Sequence, residues 1–384
     1  MLRGPSGSVV EVTIAREDEP EPLHFSIERA KIPIESVPYS YMIRPGVGYV
    51  RVIRFSQTTG EELESAIKKL NGEGMTSLLL DLRSNSGGLL SQAVDVLDQL
   101  IPENQLLVYT RGRIPSANAD YRSTARNKAI DGLPIVVLID HGSASASEIV
   151  AGAVQDLDRG LVVGTNSFGK GLVQNQLRLS DGSKLLLTIA KYYTPSGRLI
   201  QRDYTKFDDR GDYAEDAYKV DVPSDSVLAT LPKFETSSGR KVYGGGGIYP
   251  DMIIHDLENL TAPQRELIMK RIPWEFATQY LRHHKNEKPT DATFGPSFKL
   301  TDGEWTELRD IMTKREAAVS DSVLTADRGF ILRQVRAELA NATAGPQARY
   351  QVLVEDDVQL NKALTMFPQA SELMSKALGS KSQP

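Results

Sequence analysis

Two periodicities divide the chain. Up to about residue 256 the apolar positions fall in short runs or alternate, as in strands, with helical stretches between; beyond it they recur every three to four residues. Val9 to Ile14 alternates after the turn Gly4-Pro5-Ser6-Gly7. Glu17 to Glu21 is an acidic, proline-bearing connector, and His24 to Ile34 alternates in part before a loop, Pro38 to Gly48. From Gly48 strands and helices take turns. Tyr49 to Phe55 reads as a strand. Thr59 and Glu62 have the form of a capping box opening a helix that ends at Gly72 and Gly74, with Leu63, Ala66, Ile67 and Leu70 on its apolar face. Leu78-Leu79-Leu80 is a short buried strand, Leu89 to Leu100 a helix, Leu106 to Thr110 an edge-like strand and Arg111 to Gly132 a polar loop. The runs Ile135 to Ile139 and Leu161 to Val163 flank a further helix, and Leu172 to Leu179 and Lys184 to Tyr192 alternate. This order predicts an α/β layered core.

Residues 200–243 are polar and weakly periodic, an excursion from that core. Gly244 to Gly247 then leads into Ile248 to Ile254, a closing strand. Past His255 the chain reads as a separate helical region. Thr261 caps a helix with Pro263 in its first turn and a kink at Pro273; Asp302 caps another with Trp305, Leu308, Ile311 and Met312 on one face. Val323 to Leu339 and Val358 to Leu373 carry further stripes. The tail from Ser375 reads as frayed.

Composition narrows the function classes. At 384 residues the chain holds two or three structural units. A formal net charge of -5 without a basic block argues against nucleic acid as a partner. The absence of cysteine excludes disulfides, thiolate metal sites and cysteine nucleophiles, and suits an exported protein. No apolar run is long enough to span a bilayer, and Met1-Leu-Arg-Gly-Pro-Ser-Gly7 has no secretory leader pattern.

The candidate chemistry lies in Val136 to Gln174. A serine is a weak nucleophile until a neighbouring base takes its proton. Of five histidines only His141 lies near the serines, four residues before Ser145 with a turn between, and it reads as a loop residue at a strand end. Gly142-Ser-Ala-Ser-Ala146 also lacks the second glycine of a G-x-S-x-G elbow. Lys170 is the other candidate base. A lysine at its reference pKa of roughly 10.4 is protonated at neutral pH, but desolvation lowers that value by several units. Serine–lysine pairs are a known variant of the triad. Gln174 shares strand parity with Lys170 and could orient the amine. The unpaired amides of the helix after the serines, Ala146 first, can stabilise an oxyanion together with a glycine of the turn Asn85-Ser-Gly-Gly88. Ser143 and Ser145 as plain helix caps is the competing reading. Gly164 to Lys170 also matches seven positions of a phosphate-binding loop. Gly171 lacks the magnesium-binding hydroxyl, however, and a strand pattern follows where a helix is required.

Four motifs in order now carry a resemblance: Asp81-Leu-Arg-Ser-Asn-Ser-Gly-Gly88, Gly142-Ser-Ala-Ser-Ala-Ser-Glu-Ile149, Val163-Gly-Thr-Asn-Ser-Phe-Gly-Lys-Gly171 and Gly247-Ile-Tyr-Pro-Asp251. Together they resemble the C-terminal processing (tail-specific) serine proteases of peptidase family S41. The resemblance implies Ser145 as nucleophile, Lys170 as general base 25 residues later (170 − 145), and Gln174 as the residue that positions the lysine. It gives the oxyanion donors as the amides of Ala146 and a glycine of the turn, Gly88 rather than Gly87, with no cofactor or metal.

It implies an α/β, crotonase-like ββα spiral core over 48–256. A PDZ remnant at 1–16, a linker with the first core strand at 17–47 and a helical region at 257–384 complete the expected layout. Its partners are protein or peptide substrates presented by their C-terminal tails, with a homo-oligomer and an adaptor protein left open. Its location is the periplasm or cell envelope. Two other readings stand beside it: an acyl-CoA hydratase or isomerase on a related core, and a non-catalytic peptide-binding scaffold.

Overall fold

The computed structural model describes the chain apart from residues 1, 17–18, 125–129, 131, 204, 206–224, 256–259, 285–293, 318–320 and 380–384. Residues 204 and 206–224 of the 200–243 excursion and part of the tail from Ser375 therefore lie outside the described residues. The chain divides into two units, Met1–Glu35 and Ser36–Pro384.

In the first unit β1 (Val9–Ile14) pairs antiparallel with β2 (Leu23–Glu28). The segment expected as a linker thus holds the partner of the first strand, and this unit ends at residue 35 instead of 16.

The second unit is built on β3 (Tyr39–Arg44), β4 (Val47–Arg51), α1 (Thr59–Gly72), β5 (Ser77–Asp81), α2 (Leu90–Leu100), β6 (Leu106–Arg111), β7 (Ala119–Arg122), β8 (Ile135–Ile139), α3 (Ala146–Asp156), β9 (Gly160–Gly164), β10 (Leu172–Arg178), β11 (Lys184–Tyr193), β12 (Lys233–Glu235), β13 (Lys241–Tyr243) and β14 (Met252–Ile253). Six strands form one sheet in the order β14-β9-β8-β5-β4-β3, parallel except for the β3–β4 hairpin. That order follows the chain without reversal, so the sheet has no switch point of the doubly wound kind. A second, antiparallel sheet runs β10-β11-β6-β7.

Continuous apolar runs make the central strands because both faces of the large sheet are covered. Leu78, Leu80, Ile135, Val137 and Ile139 point to one face with Leu63, Ile67, Val96, Leu97, Val150 and Val154 of α1, α2 and α3. Leu79, Val136, Leu138 and Val163 point to the other, where Leu360, Phe367, Ala370 and Leu373 meet them. The last helices, Val358–Ala363 and Phe367–Gly379, are therefore not a separate body but the second cover of the sheet. Helices between Ala262 and Ala344 have a core of their own around Phe276, Trp305, Leu308 and Val335.

Local expectations were revised where tertiary contacts outweighed local signals. Glu62 does not close a capping box with Thr59; its Oε2 accepts the amides of Ser36 (2.6 Å) and Val37 (2.8 Å), and Thr58 precedes the helix. The expected loop at Pro38 to Gly48 contains β3, whose Tyr41 packs with Tyr49. The strand β6 is interior, because the polar loop after it supplies β7 as a neighbour. The Pro273 kink is a full break: Arg271 is left-handed (φ 57°) between the helices Ala262–Met269 and Ile272–His283. Thr301, not Asp302, caps the helix that follows, its hydroxyl accepting from the Glu304 amide.

Candidate active site

The serine turn is anchored before it is armed. Just after β8, Asp140 accepts the Ser84 amide (2.7 Å) and hydroxyl (2.9 Å) and the Gly142 amide (2.9 Å), tying this turn to the one after β5. The buried hydroxyls of Ser143 and Ser147 donate to the carbonyls of Leu82 and Asn85, each at 2.8 Å. These two serines hold loops together. Ser145 between them is half-buried and sits at φ 55°, ψ −110°, a conformation costly for a residue with a Cβ. Such strain persists only where the surroundings impose it.

What imposes it is largely Glu148, one turn into α3 and fully buried. Its Oε2 accepts the amides of Ser145 (2.7 Å) and Lys170 (2.9 Å); its Oε1 accepts the Ser167 hydroxyl (2.6 Å) and the Gly169 amide (2.7 Å). Burial pushes this carboxyl above its usual range, opposed by those four bonds. The two residues expected to form the catalytic pair are thus brought together: their amides converge on one oxygen. On the carbonyl side the Tyr192 hydroxyl reaches both the Ser145 oxygen (3.0 Å) and the Lys170 oxygen.

The lysine loop is clamped further along. Gly171 donates to Gln201 Oε1 (2.8 Å), Arg202 donates its amide to the Gly169 carbonyl (2.9 Å), and Phe168 donates to Ser143 O (3.0 Å). The Gly-Ile-Tyr-Pro-Asp motif serves the same loop. The Ile248 amide donates to Ser167 Oγ (2.6 Å), while Asp251 accepts from Val162 N (2.8 Å), Gln155 and Arg240. The segment after Lys170 is the strand β10, which rules out a phosphate-binding loop opening a helix.

The glycine turn faces Ser145. A Cβ on Gly87 would lie 2.8 Å from the Ala146 nitrogen and 2.8 Å from Ser145 Cβ, and one on Gly88 would lie 2.1 Å from Phe55 O. Both glycines have positive φ, 93° and 150°. The Gly87 amide is occupied by Asn85 Oδ1 at 2.9 Å. The Gly88 amide has no acceptor among the described residues. Ala146 is the first residue of α3, where an amide has no acceptor within the helix.

Gln174 is placed differently from its expectation. Lys170 precedes β10, which begins at Leu172, so strand parity does not extend to it; the register irregularity beside Gln174 skips Ile189 of β11 and leaves β10 itself unbroken. The Gln174 side chain is exposed, with no hydrogen bond among the described residues. His141 is half-buried in the serine turn.

Behind the glycine turn lies a buried ionic cluster that the sequence reading missed. The Arg83 guanidinium contacts Asp81 and Asp357, each at 2.7 Å, and Gln359 Oε1 at 3.1 Å. Arg51 (2.9 Å) and the Tyr49 hydroxyl (2.7 Å) complete the shell of Asp81, and Tyr49 meets the Tyr350 hydroxyl at 2.8 Å. Burial alone would raise the Asp81 carboxyl, but the Arg83 and Arg51 guanidiniums hold it well below the usual range. An acidic residue at the third helical position after a serine was the visible signal for Glu148. Nothing local marks Tyr192, Asp357 or Gln359.

Residues 46–209 match the family model described as "Peptidase family S41". The carboxy-terminal-processing protease of Bartonella bacilliformis is 43% identical over 205 residues, covering 52% of this chain and 46% of that protein. A carboxyl-terminal-processing protease of Synechocystis sp. is 39% identical over 204 residues, covering 52% and 47%. Among solved structures, a photosystem II D1 C-terminal processing protease aligns with a TM-score of 0.38 at 32% identity, over 52% of this chain and 54% of that one. Residues 46–209 of the chain are thus similar to peptidase family S41. The chain spans about half the length of the curated relatives it matches.

Proposed function

We propose that the chain is a serine endopeptidase that cuts protein substrates near their C-termini. Ser145 Oγ attacks the scissile carbonyl while the Lys170 amine takes its proton and returns it to the leaving amine; water then releases the acyl group from Ser145. The amides of Gly88 and Ala146 receive the oxyanion. The observation that carries this reading is the convergence of the Ser145 and Lys170 amides on one Glu148 oxygen, which fixes two residues 25 apart in sequence (170 − 145) in one place. The free Gly88 amide supports it as the turn's donor, since the Gly87 amide is engaged. Gln174 is retained as a residue that orients the lysine from β10 once substrate covers the strand.

The chain-order sheet suits a crotonase-like spiral, and the β1–β2 hairpin suits a PDZ remnant. Substrates enter by their C-terminal tails, in the periplasm or cell envelope. Replacement of Ser145 or Lys170 by alanine takes proteolysis of a casein-like substrate to background while circular dichroism is unchanged; full activity in either variant overturns the reading.

A further inference from the structure

We propose that Tyr192 is a positioning residue for the serine–lysine pair, its buried hydroxyl setting the separation of the Ser145 and Lys170 backbones from the carbonyl side. The inference rests on the reading of that pair given above. Tyr192 is 1% exposed, so its phenol has no solvent to bond. Its hydroxyl lies 3.0 Å from the Ser145 carbonyl oxygen and in contact with that of Lys170. A phenol has one proton to donate. The Ser145 oxygen already accepts from the amides of Glu148 (2.9 Å) and Ile149 (3.0 Å). The Lys170 oxygen has no other donor among the described residues, so the phenol holds the lysine loop against the start of α3. The Tyr192 amide grips the same loop a second time through the Gly171 carbonyl, at 3.0 Å.

The support is stiff. At Tyr192 the strand β11 is paired on one side with Thr110 of β6, and one residue earlier Lys191 is paired with Leu172 of β10. Glu148 takes the two amides, while the phenol proton goes to the Lys170 carbonyl and its oxygen packs beside that of Ser145, so the lysine is held at both its amide and its carbonyl. Removing the hydroxyl frees the carbonyl side alone. The loop then shifts relative to Ser145, which affects proton transfer and not the binding of a substrate tail.

The test compares Tyr192→Phe with Tyr193→Phe, and with Ser145→Ala and Lys170→Ala, on one protein substrate at low temperature, with rates expressed per folded molecule. Tyr193 is the next residue of β11, and its ring points to the other side, stacked on Tyr109 at 5.0 Å. In Tyr192→Phe, kcat falls by roughly 10- to 100-fold with KM within about twofold, the split expected when geometry is lost in the transition state alone. Tyr193→Phe stays near the native rate. An unchanged kcat in Tyr192→Phe overturns the inference, as does an equal loss in Tyr193→Phe or a Tyr192→Phe chain that cannot fold, since either marks a purely structural role. Full activity in Ser145→Ala or Lys170→Ala overturns the pair itself. Both inactive beside a native-like Tyr192→Phe removes only the role of Tyr192.

Discussion

Arg83 and Asp357 meet at 2.7 Å across 274 residues of chain. Arg83 stands at the entrance to the glycine turn and Asp357 caps the helix Val358–Ala363. The site is therefore supported from outside the residues that match the family. Truncating one partner of a buried pair costs about 3–5 kcal/mol. Asp357 keeps some exposure, so Asp357→Ala is expected to lose about 2–3 kcal/mol in urea unfolding, with a fall in kcat as the turn loosens. An unfolding midpoint equal to the native one would show that Asp81 alone holds Arg83.

Asn85 is the brace inside the glycine turn, accepting from Gly87 and donating to Val52 O at 2.8 Å. Asn85→Ala leaves both groups without a partner, at a cost of about 1–3 kcal/mol each when buried. The freed Gly87 amide then competes with Gly88 for the oxyanion. Loss of one oxyanion donor costs about 100- to 1000-fold in kcat, and Asn85→Ala falls toward that range while KM changes little. Steady-state kinetics on a peptide substrate reads the split.

The raised pKa of Glu148 gives a sign to stability against pH. A carboxyl whose folded value lies above its unfolded value of roughly 4.3 contributes stability that is complete below that value and is lost as pH rises through the folded one. Burial is the main cause of the shift. Glu148→Gln cannot ionise. The thermal midpoint of the native protein minus that of this variant should fall as pH rises from about 4 toward neutrality. A difference that grows with pH would mean that the four hydrogen bonds outweigh burial.

Gln174 is exposed and makes one neutral hydrogen bond at most to an amine. Such a bond is worth about 0.5–1.5 kcal/mol, so Gln174→Ala should lower kcat by roughly 2- to 10-fold, far less than Lys170→Ala. A loss as large as that of Lys170→Ala would show that Gln174 folds inward over the lysine when substrate is bound.

Much of this was readable in the residues. Runs such as Leu78-Leu79-Leu80 and Ile135 to Ile139 announce strands buried on both faces, and the small-residue turn before Glu148 announces a helix start. The serine and lysine motifs were legible as glycine- and serine-rich turns at strand ends, and the structure ties their amides to one carboxylate oxygen. Tyr192 and Asp357 were not, since each acts through a contact with a segment distant in sequence that no periodicity encodes. The Gln174 parity argument fails for a related reason: Lys170 lies before β10 begins at Leu172, and an alternating pattern does not mark where a strand starts.

The cover that Val358–Ala363 and Phe367–Gly379 lay over the sheet also has a bearing on timing. A ribosome adding about 5–20 residues per second reaches Phe367 roughly 10–40 seconds after Lys170. Until then Leu79, Val136 and Leu138 have no roof, and Arg83 lacks its distal carboxylate. A nascent chain thus carries Ser145 and Lys170 well before it has the scaffold that holds them in place, and its own synthesis acts as the delay.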